Sequence, residues 1–398
     1  MNQPRAVHRT SIPRYAYYSS TIFFYYFSMG VFISILSLFL IGKSIRTTDI
    51  AFIISATAIF TIVVQPLLGI FSDRIKKTKM IIGASMCIAL LTGVLFIFTD
   101  NILLLFILNG ITQSLIISIM PFYDTLAEKS DYTYGSIRVW GSIGFAVSVQ
   151  VTGLVYDYIS HNAVFVMFGI STLLCLLTLS PLKEVAYTKK KSATTYADSL
   201  KSFMMLMKNK GFILFLVLSF IILGMHYCNI AYMPILVKSM GGTATNVGMI
   251  LLFQTLFEIP VLLSTDKIFK KLSFKTCLIM ILVVMAVRFL WYSFLPGTYW
   301  VTAMFFFQAL STNLFFVLSI KVVFYMIDES LVYTALALGS MLGKGVGALT
   351  FQLIGGQLLA RYGVSFLYQF LGAIAILGIF LSLMFNPVPR SVQKHSEC

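Results

Sequence analysis

Charge is what this chain has least of. Aspartate, glutamate, lysine and arginine make up 11% of its 398 residues, and only 14 of these are acidic. A soluble globular domain carries about 25% charged residues. With so few polar side chains the chain cannot cover a surface facing water, so lipid is the expected solvent. Histidine is rarer still: the four lie at 8, 161, 226 and 395, with no ligand spacing. No P-loop is present, and no nucleophile stands beside a base. A membrane enzyme or an ATP-driven machine is therefore disfavoured. The five cysteines are Cys87, Cys175, Cys228, Cys277 and Cys398. They form no CxxC pair and no recurring spacing, so no disulfide framework, metal site or cofactor is expected.

Apolar residues fill the space that charge leaves. They make up 59% of the chain, with 36 phenylalanines and 20 tyrosines, the mixture expected where helices meet lipid and its interfaces. The first apolar run, 15–41, exceeds the roughly 7–15 residue core of a signal peptide and lacks a small-residue cleavage site. It reads as a span. A span needs about 20 mostly apolar residues. That template predicts twelve: 15–41, 49–71, 79–99, 102–124, 135–157, 162–181, 211–237, 244–265, 274–295, 299–325, 331–359 and 364–386. The expected fold class is all-α integral membrane, with twelve helices in two six-helix bundles.

An even number of spans puts both termini on one side. Lysine and arginine choose which side, because they concentrate in cytoplasmic loops. Twenty-one fall on the side of the termini, in clusters such as Arg74–Lys79 and Lys267–Lys275. The other side offers four: Lys43, Arg46, Lys238 and Arg361. Both termini are expected to be cytoplasmic, in a multi-pass inner-membrane protein. The formal charge of +15 thus reports topology and not a nucleic-acid partner.

The longest polar stretch, 183–210, divides the chain. The expected layout is a bundle at 1–182, a cytoplasmic linker at 183–210 and a second bundle at 211–398. A faint repeat supports this. Gly69-x-x-x-Asp73-Arg74 follows the second span, and Asp266-Lys267 follows the eighth, with Pro66 and Pro260 upstream at nearly equal distances. Matching devices in matching loops point to parallel repeats.

The string Gly69-x-x-x-Asp73-Arg74 with trailing basic residues resembles the loop signature of the major facilitator superfamily. The family usually has glycine where this chain has Lys76. The resemblance covers the whole chain and implies two six-span halves that rock around a midplane site.

Ionisable groups inside spans are costly and mark candidate sites. They are Asp124, Arg138, Glu258, Arg288, Lys321 and Lys344. Arg138, Ser142 and Phe145 are spaced four and three apart and share one helix face. A guanidinium, a hydroxyl and an aromatic ring on one face suit a polar, ring-shaped solute. Packing is the alternative, with Gly141 and Gly144 letting helices approach and Arg138 reaching the interface. Asp124 closes the fourth span and can pair with Arg138. Gln254 and Glu258 share a face of the eighth span. Desolvation disfavours the charged form of a lone buried carboxylate, so Glu258 is a candidate proton carrier, as is Asp124. A partner for Lys321, Arg288 or Lys344 is the alternative role for Glu258. Both Arg288 and Lys321 can reach interfaces on the predicted span ends. Lys344 lies deep among Gly339, Gly343, Gly345 and Gly347, as a buried charge partner or a gate residue. His226 and Asn229 mark the seventh span. His226 reads as a proton relay or as a hydrogen-bonded core residue.

The string Arg138-x-Trp140-Gly141-Ser142-x-Gly144-Phe145 is similar to the fifth helix of the lactose permease branch and its nucleoside and phenylpropionate relatives. The resemblance implies solute contacts for Arg138, Asp124 and Phe145. Two departures stand out: the lactose permeases carry Trp at the Phe145 position and Glu at the Asp124 position. They also use a histidine and a glutamate in helix ten, and 308–321 contains neither. The expected function is proton-coupled symport of a sugar or nucleoside by a protein acting as a monomer. Export of sugars or drugs and uptake of an aromatic acid are the alternatives.

Overall fold

The computed structural model describes residues 12–75, 77–184, 206–207, 209–328 and 331–387. Most of the linker, Cys398, His8 and His395 lie outside them. Helices account for nearly all of the described chain. They are α1 (Ile12–Ser34), α2 (Leu36–Gly42), α3 (Thr47–Ile75), α4 (Thr78–Leu95), α5 (Ile102–Ser118), α6 (Met120–Glu128), α7 (Tyr134–Tyr158) and α8 (Ala163–Leu179). After the linker come α9 (Lys210–Ser239), α10 (Ala244–Lys271), α11 (Phe274–Ser293), α12 (Thr298–Met326), α13 (Val332–Ser340) and α14 (Ala348–Leu383). A π-helical stretch, Met341–Gly347, joins α13 to α14. In lipid every backbone group must be satisfied within its own segment, and helices do this.

Eight of the described helical segments are long and apolar enough to cross a membrane. Joining α1 and α2 across their 46° bend makes nine. Ala163–Leu179 is apolar but shorter. The segment counted as Thr334–Leu383 is 50 residues long and turns at Gly363, where φ is +83°. Glycine takes that left-handed conformation without the Cβ penalty.

The structure bends two of the predicted spans and corrects one expectation. The first predicted span breaks at Ile35. The fourth breaks at Ile119, two residues before Pro121, whose ring removes a donor and clashes one turn back. The repeated acidic-basic strings are not loops. Arg74 stands in the last turn of α3, and α10 runs on to Lys271. Neither string contains a residue that stops a helix after Gly69, and Pro66 and Pro260 are accommodated within the helices. A Cβ at Gly69 would meet nothing within 4 Å, so that glycine serves no close packing in this state.

Packing runs both within and between the two parts of the chain. Helix α1 lies against α7 and α8, and α3 against α5. After the linker, α11 lies against α12 and α14, and α9 against α14. The main contacts that tie the parts together are α7 with α10 and α3 with α14. At one end these contacts are tight. A Cβ on Gly153 would come within 2.8 Å of Thr245 Cα, and one on Gly248 within 3.0 Å of Gln150 Cα. There Asp157 accepts hydrogen bonds from the backbone N–H groups of Ala244 (3.1 Å) and Thr245 (2.7 Å). A carboxylate at a helix N-terminus satisfies orphan donors and complements the dipole. Toward the opposite end, Val63, Leu67, Ile70 and Phe71 of α3 are exposed.

Candidate solute-binding site

Before the linker, the polar residues gather where α1, α6 and α7 meet. Asp124 and Arg138 pair, with Oδ1 3.4 Å from Nε. Tyr134 donates a 3.0 Å hydrogen bond to the same carboxylate oxygen. The Arg138 guanidinium lies 4.3 Å from the centre of the Tyr26 ring. Gly141 makes room for this stack, because a Cβ there would come within 2.6 Å of that ring. The Tyr26 hydroxyl is buried and has no partner among the described residues. Ser142 and Phe145 are half-buried one and two turns further on. Phe145 lies beside Gly30 of α1, where a Cβ would sit 3.2 Å from its ring. The expected Asp124–Arg138 pair is thus present. Arg138 stacks against a tyrosine that spacing within α7 alone could not reveal.

After the linker, α9, α10, α12 and α14 bring together a set of amides. Gln308 donates to Gln254 at 3.0 Å. Asn229 donates to Gln308 at 2.7 Å, and Tyr368 donates to Asn229 at 3.0 Å. Glu258 is half-buried one helical turn after Gln254 on α10, and α10 packs against the α7 that carries Arg138. His226 is buried and meets the Thr312 hydroxyl through Nδ1 at 3.2 Å, the arrangement of a hydrogen-bonded core histidine.

Lys344 sits in the π-helical stretch, with Nζ 4.9 Å from the centre of the Phe316 ring. It is exposed and has no ion-pair partner among the described residues. The glycines around it allow the approach to α9: a Cβ on Gly343 would stand 3.1 Å from the Ser219 carbonyl oxygen. Arg288 does not reach an interface. It is 1% exposed inside the second part of the chain, 4.8 Å from the centre of the Phe289 ring. Lys321 lies over the Phe269 ring at 5.1 Å. The side chains of Asp73 and Asp266 lie outside the described set. Among the described residues no group of His, Cys, Asp and Glu could hold a metal.

Sequence reasoning missed Tyr26, Tyr134, Gln308, Asn313 and Tyr368. The amides carried a signal, since a glutamine or asparagine in an apolar span needs a partner. The tyrosines carried none, because twenty of them are scattered along the chain.

Comparison with known proteins bears on this arrangement. Residues 15–370 match the model of the MFS_1 like family. A maltose permease of Geobacillus stearothermophilus is 28% identical, over 91% of this chain and 92% of its own. A probable 3-phenylpropionic acid transporter of Escherichia coli strain K12 is 23% identical, over 65% of this chain and 68% of its own. A solved structure of a mutant nucleoside transporter NupG shares the fold, with a TM-score of 0.85 at 14% identity, covering 94% of this chain and 99% of that one. With a family model matching most of its length, the chain belongs to the MFS_1 like family of the major facilitator superfamily, whose members here are membrane permeases and not enzymes.

Proposed function

We propose that the chain is a twelve-span secondary transporter that takes up a sugar together with protons by alternating access. The observation that carries this reading is the pair of facing polar clusters: Asp124, Arg138, Tyr134 and Tyr26 on one side, Glu258, Gln254 and Asn313 on the other. Bidentate donors, carboxylates and amides suit neighbouring hydroxyl groups, and a tyrosine or phenylalanine face suits the apolar side of a sugar ring. The maltose permease likeness puts sugar ahead of nucleoside and aromatic acid. Lys344 supports a watered chamber, because an exposed ammonium within a span needs water around it.

The twelve spans are α1 with α2, α3, α4, α5 with α6, α7, α8, α9, α10, α11, α12, α13 with the first part of α14, and the rest of α14. The excess of lysine and arginine orients both termini to the cytoplasm of an inner-membrane protein. The seal at Asp157 then faces outward, and the state is inward-open. Two bundles acting as one monomer would rock about the α7–α10 and α3–α14 contacts. Glu258 and Asp124 are the carboxylates placed to carry the coupled proton, and Gly69, Asp73, Arg74 and Asp266 stand at the inner ends where a gate would close. Ser142, Phe145 and Lys344 complete the proposed binding surface, with the buried, hydrogen-bonded His226 and Asn229 behind it.

Thermal-shift screening of purified protein against sugars, nucleosides and aromatic acids tests the solute class. A bound solute stabilises the folded state by mass action, about 2.7 kcal/mol at a hundredfold excess over Kd. Stabilisation by a disaccharide, and by neither of the other classes, is expected. Stabilisation by an aromatic acid alone would overturn the sugar reading.

A further inference from the structure

Three side chains follow one another along a single face of α12. Gln308, Thr312 and Phe316 are spaced four apart, so they line about 12 Å of the helix. Each meets a residue from another element. Gln308 donates to Gln254 of α10. Thr312 meets Nδ1 of His226 on α9. The Phe316 ring has Lys344 Nζ 4.9 Å from its centre. The strip thus runs from amides, through a hydroxyl and an imidazole, to an ammonium. Its length accommodates two sugar rings.

The ammonium end is firmly placed. Lys344 stands in the π-helical stretch Met341–Gly347, and such turns recur at functional sites. A Cβ on Gly343 would stand 3.1 Å from the Ser219 carbonyl oxygen, and one on Gly347 2.8 Å from that of Phe220. Both glycines therefore lie against the backbone of α9. A Cβ on Gly345 would meet Ile62 of α3 at 3.6 Å, so the stretch is wedged between the two parts of the chain. Lys344 itself is exposed and makes no ion pair among the described residues. The Phe316 ring seats the ammonium but brings no counter-charge, and an ammonium has three donors to offer. A cation within a span is costly until something balances it.

We propose that Lys344 is the subsite for an anionic group on the solute, so that the sugar carried is an acidic one, bearing a carboxylate or a phosphate. This rests on the reading of the chamber as a sugar site. Arg138 is already balanced by Asp124. In the proposed cycle Glu258 holds a proton while solute is bound. Lys344 then keeps an unbalanced positive charge in the chamber, and the anion of the solute balances it. Phe316 is a positioning residue that holds the ammonium in place.

Isothermal titration of the whole protein in nanodiscs tests this with three probes. They are maltose, the same disaccharide with its non-reducing C6 oxidised to a carboxylate, and maltose 6′-phosphate. At least one anionic probe should bind at least about tenfold tighter than maltose, as a charge-assisted hydrogen bond provides. The two anionic arms tell carboxylate from phosphate. The ratio to maltose is read within each variant, so a general weakening of binding does not enter it. It should fall to about one in Lys344→Gln, persist in Lys344→Arg and fall in part in Phe316→Leu. Equal affinity for all three probes in the unaltered protein overturns the inference and leaves the sugar reading standing. A preference that survives Lys344→Gln overturns it as well. Binding of none of the three overturns the sugar reading, and the inference with it.

Discussion

Arg138 is held on three sides: by the Asp124 carboxylate, by the Tyr26 ring, and by the gap at Gly141 that admits the stack. The side chains of the ion pair are 30% and 36% exposed, so water screens the pair and it adds little to stability. In the proposed function its value lies in preorganised donors for a solute. Arg138→Ala and Asp124→Ala should each weaken binding of the solute found by screening at least about tenfold, or ~1.4 kcal/mol, with little change in unliganded melting temperature. Isothermal titration checks the first quantity and a thermal scan the second; normal binding by both variants would mean the site lies elsewhere. Arg138→Lys should also bind poorly, since an ammonium lacks the planar fork that stacks on Tyr26. The Arg138–Asp124 pair was readable from sequence because adjacent helices joined by a short turn bring their ends together. Tyr26 was not, because its approach depends on the rotation of α1 against α7.

At the scale of elements, helix positions were legible to within several residues. Length and apolarity decide them, and lipid leaves the backbone no alternative to the helix. The bends were less legible. Ile119 has Pro121 nearby to announce it, whereas Ile35 sits between a serine and a leucine with no breaker beside it. The hydrogen-bonded set of Tyr368, Asn229, Gln308 and Gln254 was hidden for a related reason: it joins four helices whose facing sides no single periodicity reveals. The contact of α7 with α10 carries a prediction of its own. Asp157 caps α10 from across the two parts, accepting two backbone hydrogen bonds on its carboxylate. Such bonds are worth about 1.5–3 kcal/mol each. Asp157→Ala should therefore shift the population away from the sealed state. Val149, fully buried beneath Gly248, is a reporter. With exposed Cys87 changed to Ser, a cysteine in place of Val149 should react severalfold faster with an impermeant maleimide when Asp157→Ala is added. Equal rates would remove Asp157 from the gate.

For the whole molecule, scarcity of charge argued membrane before any motif was read, and the family match agrees with that reading. The distribution of the remaining bases supports the proposed orientation, in which the Asp157 seal is external. The two parts then present their polar clusters toward one another, with carboxylates on each. The central claim is that these clusters move a sugar across the membrane at the expense of a proton gradient. Proteoliposomes with an imposed inside-alkaline gradient and a radiolabelled disaccharide test it most directly. Accumulation above equilibrium is predicted, collapsing when an uncoupler dissipates the gradient and absent in Glu258→Gln, which should retain exchange of solute across the membrane. Accumulation that persists after the gradient is dissipated would contradict the account.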